Sequence, residues 1–235
     1  TLRVMKKPLS VLVIVFACLR AVQADVITEW NSLMLQTFAA EGSTATPPCN
    51  SRTMGMLGGA MYDAVNSINR NYSGYLGYFD ATTAGSSTDV TAAAATAAYN
   101  TMSSIYTDLY GAGNSYQAAF DDLYNNQMAA ISAGDAKTRG IEIGTAASQA
   151  MITARLNDGK DAVSSYTPQD VGTIGRWQPG TTAGAWGSGT GSFVKPQWSE
   201  MTPFTMTSSS QFRPAGPNGY QPTDYTSWVQ SSAYE

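Results

Sequence analysis

Residues 51–68 read SRTMGMLGGAMYDAVNSI, and their spacing decides the fold class. From about Asn50 to Asn69, Met54, Leu57, Met61, Val65 and Ile68 recur at helical intervals, so the stretch predicts an amphipathic helix. Gly55, Gly58, Gly59 and Ala60 leave another face almost free of side chains. Glycine costs up to about 1 kcal/mol per helix position against alanine. Three glycines within five residues therefore imply compensating close packing, and a neighbouring helix is expected to approach there.

The same period continues on both sides. Upstream, Ile27, Trp30, Met34 and Phe38 share one face of a helix predicted over Val26 to Ala40. Asp25 is its expected N-cap and Gly42 its stop, and a loop carrying Pro47-Pro48 follows. Downstream, Asn71 to Phe79 is rich in Tyr and Gly and reads as a connecting segment laid over the core. Within it, Asn71-Tyr72-Ser73 is a glycosylation sequon, meaningful in a eukaryotic secretory host. Three further helices are predicted: Asp89 to Tyr110 (alanine-rich at its start, ended by Gly111 and Gly113), Ser115 to Ser132, and Asp135 to Asn157, closed by Gly159. The last is rich in Ala and Gly and is expected to be a tightly packed central helix. An all-α helical bundle over residues 25–158 results.

From residue 159 the character changes. Pro, Gly, Ser and Thr dominate, broken by single aromatics: Trp177, Trp186, Phe193, Trp198, Phe204 and Phe212. A structureless run of this length is abnormal inside a compact domain, and isolated large aromatics argue against disorder. Residues 159–235 are read as a long irregular crossing segment pinned to helices by aromatic anchors.

Residues 1–24 read as upstream residues and a signal peptide. Met5-Lys6-Lys7 is a positive n-region, Leu9 to Leu19 an apolar run, and Ala21-Val22-Gln23-Ala24 a cleavage site, with Asp25 left first. The apolar run is too short for a membrane span, which needs about 20 residues. A secreted or periplasmic protein without a span after cleavage is expected. Cleavage removes Arg3, Lys6, Lys7 and Arg20, leaving nine basic against 17 acidic residues. No basic stripe survives, so nucleic acid is not an expected partner. A homo-oligomer is compatible with the sequence.

Histidine is absent from all 235 residues. That excludes the usual general base, the usual zinc ligand and any Ser-His triad within the chain. Cys49, alone once Cys18 has left, reads as a small buried hydrophobe. Asp121-Asp122 read as a solvated helix face. Asp158 and Asp161 flank a helix end, and a metal site is not expected there. Gly184 to Gly191 lacks the Lys and the strand context of a phosphate loop.

Three stretches together resemble the N-terminal part of vanadium-dependent haloperoxidases and the related type 2 phosphatidic acid phosphatases. They are VITEWNSLMLQTF at 26–38; SRTMGMLGGAMYDAVNSI at 51–68 with the Tyr-rich NYSGYLGY after it; and, within 175–217, GRWQPG, KPQWSEMTPF and SSSQFRPAGP. MYDAVNSI and PQWSEMTPF with SQFRP are the most specific pieces. The resemblance implies an all-α fold of packed bundles whose active site lies in the C-terminal half. There a Lys with Arg-Pro seven residues on, a Ser-Gly-His, and a later Arg and His hold vanadate, which supports halide oxidation by peroxide; in the phosphatases the same pocket holds phosphate. This chain departs from that set. Seven residues after Lys195 stands Thr202, after Lys160 stands Thr167, and Arg213-Pro214 has no Lys seven residues before it. No Ser-Gly-His occurs. No catalytic, cofactor-binding or metal residue is therefore carried over: no cofactor is expected in this chain, and vanadate only in a complete protein. The ending YTSWVQSSAYE reads as a truncation. The expected partners are then the missing C-terminal half and, in the complete protein, halide and peroxide or a phosphate ester. A secreted acid phosphatase of the same superfamily and a non-catalytic secreted helical binding module stay open.

Overall fold

The computed structural model describes residues 25–42, 46–163 and 195–213. Residues 1–24, read above as upstream residues and a signal peptide, lie outside the described residues, as do Trp177, Trp186, Phe193, the Gly184–Gly191 stretch and the chain's last residues. Among the described residues the structure is all-α. Its five helices are α1 (Val26–Glu41), α2 (Pro47–Asn69), α3 (Val90–Tyr110), α4 (Gln117–Ala130) and α5 (Asp135–Arg155), followed by a 3-10 turn at Pro196–Glu200. No described helix is long and apolar enough to cross a membrane.

The helix ends follow the expected chemistry, with one correction. The Asp25 carboxylate accepts from the Thr28 N–H at 2.8 Å, and Asp89 does the same for Ala92. The Thr28 bond holds the Asp25 carboxyl below its ordinary range. Gly42 and Gly111 close α1 and α3 at positive φ. Pro47-Pro48, expected in a loop, instead form the first turn of α2. Proline fits there because the first-turn N–H groups have no intrahelical partner to lose.

The chain divides into two compact units. The first comprises α1, α2 from Met56, the 70–80 connection, α3, α4, and α5 to Met151. Trp30, Leu57, Met61, Ala92–Ala95, Met102, Tyr106, Phe120 and Met151 are fully or almost fully buried in it. Within it, α3 and α5 approach each other closely. A Cβ on Gly140 would collide with the Asp89 carbonyl and Ala92, and one on Gly144 with the Ala93 carbonyl and Thr96. The alanine run of α3 and the glycines of α5 thus let the two helices meet nearly backbone to backbone. Lys137 donates to the Met128 carbonyl at 2.6 Å, placing a cation at the C-terminus of α4.

The glycines of α2 behave differently from expectation. Only at Gly59 does a neighbouring helix supply the nearest atom, and it does so through the Met151 side chain of α5 rather than its backbone. Gly55 faces the Phe204 ring and Gly59 faces Met151 and Tyr75, while a Cβ on Gly58 would meet nothing within 4 Å. Side chains, and at Gly58 open space, take the room reserved on sequence grounds for a helix.

The second unit joins residues 46–55 to 152–163 and 195–213. Asp158 and Gly159, where the sequence suggests a boundary, sit together inside it. Of the aromatics expected as anchors, Trp198 donates its indole N–H to the Lys160 carbonyl and Phe204 lies on the Arg155 guanidinium. Phe212 anchors nothing, being 75% exposed.

Candidate functional site

Two polar constructions stand out, one in each unit. In the second unit, Asp158 is 3% exposed and lies between Arg52 on α2 and Arg155 at the end of α5. Its Oδ2 accepts from Arg52 Nε at 2.8 Å and from Arg155 Nε at 3.0 Å. Its Oδ1 accepts from the Lys160 N–H at 3.2 Å. Both arginines also donate to backbone carbonyls. Arg52 Nη2 donates to the Arg155 carbonyl at 2.8 Å, and Arg155 reaches the carbonyls of Thr202 at 2.6 Å and Pro203 at 3.2 Å. The Phe204 ring covers the Arg155 guanidinium at 4.0 Å. The Thr202 N–H returns a bond to the Asp158 carbonyl at 2.8 Å.

The knot therefore ties three distant pieces of chain together. The position of Asp158 at a helix end is legible in the sequence. The burial of the two arginines, 8% and 3% exposed, is not. A signal was present: Arg52 is the one cation in the predicted helix, set beside its apolar and glycine-rich stretch at 54–61. A buried charge of that kind needs a partner.

In the first unit, α2 turns a polar row toward the 70–80 connection. The fully buried Asp63 carboxylate accepts from the N–H groups of Tyr75 at 2.6 Å and Leu76 at 2.8 Å. Asn66 bonds both the carbonyl and the N–H of Tyr72. The Ser67 hydroxyl accepts from the Phe79 N–H at 2.9 Å, and Tyr62 donates to the Ser73 carbonyl at 2.7 Å. The connection expected to lie over the core is thus strapped down by backbone bonds to four consecutive-turn residues of MYDAVNS.

The chain matches no family model, no curated protein and no solved structure.

The other residues flagged in the sequence take structural roles or stand apart. Asp121, expected on a solvated face, is half-buried. It accepts from the Tyr99 hydroxyl at 2.9 Å and from Gln117 at 2.8 Å, because α3 brings Tyr99 over α4. Burial, then Asp121, raises the Tyr99 pKa above its ordinary value. Asp122 is exposed as expected. Asp161 is exposed and pairs with Lys160. Cys49 is half-buried rather than buried. Lys195 precedes the 3-10 turn with φ 52°, and Arg213 is exposed at the edge of the described residues.

Vanadate, implied by the resemblance for a complete protein, is held through basic N–H groups aimed at its oxygens. The two buried guanidiniums aim theirs at Asp158 and at carbonyl oxygens. Arg70 is exposed and paired with Asp80, and Arg139 serves Thr88 and the Thr83 carbonyl. These four arginines therefore turn their N–H groups to partners within the chain rather than to an anion.

Proposed function

We propose that this chain is the N-terminal, non-catalytic helical half of a secreted vanadium-dependent haloperoxidase-like protein, whose parent reaction is peroxide-dependent halide oxidation on bound vanadate. One observation supports this reading above the others. The stretches that carry the resemblance, SRTMG at 51–55 and MTPF at 201–204, are partners in the buried knot around Asp158. Arg52 and Gly55 come from the first, and Thr202, Pro203 and Phe204 from the second. Two motifs far apart in sequence that share one buried ion-pair network have a physical reason to occur together.

The absence of histidine and of the Lys…Arg-Pro set keeps the chemistry out of these residues. The test begins with the coding sequence immediately following Glu235. The longer product is then assayed for vanadate binding, for bromide oxidation with peroxide, and for phosphomonoester hydrolysis. Expected are no stoichiometric vanadate binding by the 235-residue chain, and binding with halide oxidation by a product that adds Lys…Arg-Pro, Ser-Gly-His and a later Arg and His. Phosphatase activity without halide oxidation would move the protein to the acid phosphatases of the superfamily. Stoichiometric vanadate binding by the chain alone, or a following sequence without that set, would overturn the proposal.

A further inference from the structure

The open space beside Gly58 is the floor of a pocket of about 350 Å³ in the first unit. Its floor is one helical stripe of α2, with Gly58, Met61, Val65 and Asn69 at successive turns. Ile27 and Asn31, four residues apart on α1, form one wall. Tyr72 forms another, held by Asn66 at both its backbone N–H and its carbonyl. The pocket is therefore a half-open groove bounded by two helices and a strapped connection.

The lining chemistry narrows the occupant. The surface is mostly apolar and contains no charged side chain. An ion entering it would lose hydration with no counter-charge to replace it. Around the mouth, the exposed amides of Asn31, Asn69 and Asn71 form no hydrogen bond among the described residues, so they are available both to donate and to accept. At the roughly 30 Å³ that a water occupies in the liquid, the volume takes about a dozen non-hydrogen atoms. A concave, mostly apolar surface with a few convergent polar groups is the common form of a small-molecule site.

We propose that this pocket binds a small uncharged molecule with an apolar ring body and one hydroxyl or carbonyl end, the ring lying over Gly58 and the polar end meeting the asparagine rim. The site goes beyond the haloperoxidase-like reading and does not rest on it.

Gly58 provides a test that separates binding from folding. Because a Cβ there meets nothing, Gly58→Leu places its side chain in the pocket, in a helix that gains from losing a glycine. The probe is 2-naphthol, titrated by fluorescence into the purified chain. Saturable binding at or below about 100 µM is expected. Gly58→Leu should weaken it at least about tenfold without lowering the melting temperature. The anion 2-naphthoate should bind at least about tenfold more weakly than 2-naphthol, for want of a counter-charge. Replacing Asn31 and Asn69 together with Ala, which removes no bond of the fold, should weaken 2-naphthol several-fold and leave naphthalene unchanged. No saturable binding, or binding that survives Gly58→Leu, overturns the site. Equal affinity for 2-naphthoate overturns the uncharged class, and an unchanged affinity in the double asparagine variant overturns the polar end.

Discussion

Replacing Asp158 by Asn keeps shape and size and removes one negative charge. The structure makes the consequence asymmetric. Asp158 faces two guanidiniums, so the knot carries one surplus positive charge as it stands. Asp158→Asn leaves Arg52 and Arg155 buried with no anion between them, and Arg52→Met leaves a balanced Arg155–Asp158 pair. Removing the partner of a buried charge typically costs about 3–5 kcal/mol. Arg52→Met, which loses one bond to the Arg155 carbonyl beyond the ion pair and keeps much of the stem's packing, should cost about 1–2 kcal/mol. Asp161→Asn is the control. Its side chain is 74% exposed, and surface pairs of that kind contribute about 0–1 kcal/mol.

Urea unfolding at pH 7, followed separately by helix content and by tryptophan fluorescence, reads all three, and Trp198 beside Lys160 places a fluorophore in the second unit. The expected order of destabilisation is Asp158→Asn, then Arg52→Met, then Asp161→Asn. An Asp158→Asn variant within about 0.5 kcal/mol of the Asp161→Asn control would show that the two guanidiniums are not held in a dry interior, and the electrostatic account of the knot would fail. So would an Arg52→Met variant as damaging as Asp158→Asn, since that would mean charge balance does not set the cost.

Gly144→Ala should destabilise by about 1–3 kcal/mol or more, because its Cβ meets the Ala93 carbonyl and Thr96, and Gly58→Ala should stabilise by up to about 1 kcal/mol; the same urea titration measures both. Hydrogen bonds from the Thr83 side chain and backbone, then from Thr82, bring the Glu142 carboxyl from its ordinary 4.5 down to about 2. The unfolded chain therefore takes up the proton first, so the stabilisation is complete above about pH 4.5 and is lost as the pH falls toward 2. Glu142→Gln should flatten the melting temperature against pH in that window and leave the shape above pH 6 unchanged. Asn71, Tyr72 and Ser73 are all exposed, so secretion from a glycosylating host should add a glycan at Asn71, seen as a mass shift that Ser73→Ala removes. Because Asn71 stands at the pocket mouth, the glycosylated chain should bind 2-naphthol more weakly than the Ser73→Ala chain.

What the sequence made legible was set by period and by punctuation. Trp30 and Met34, or Met102, Ile105 and Tyr106, recur at helical intervals because each buries against neighbours in its own unit, and Asp25, Asp89, Gly42 and Gly111 mark ends whose chemistry is local. The polar constructions escape the same reading, and the reason is physical. A hydrophobic stripe is recognised from one helix alone, since the only requirement is a face. A buried polar residue is explained by its partner, and the partners here lie 12 to 106 residues away: backbone N–H groups of the 70–80 connection for Asp63 and Ser67, and Asp158 for Arg52. Asp63 therefore reads as an ordinary polar position between Met61 and Val65, although it is fully buried and fixes the backbone of Tyr75 and Leu76. The glycines show the converse ambiguity. Gly55, Gly58 and Gly144 are equivalent on paper, each a helical residue without a side chain. One lies against a ring, one against open space and one against another helix's backbone. Glycine records that something occupies, or is meant to occupy, the place of a side chain; only the fold says whether that something is a helix, an aromatic ring or a ligand.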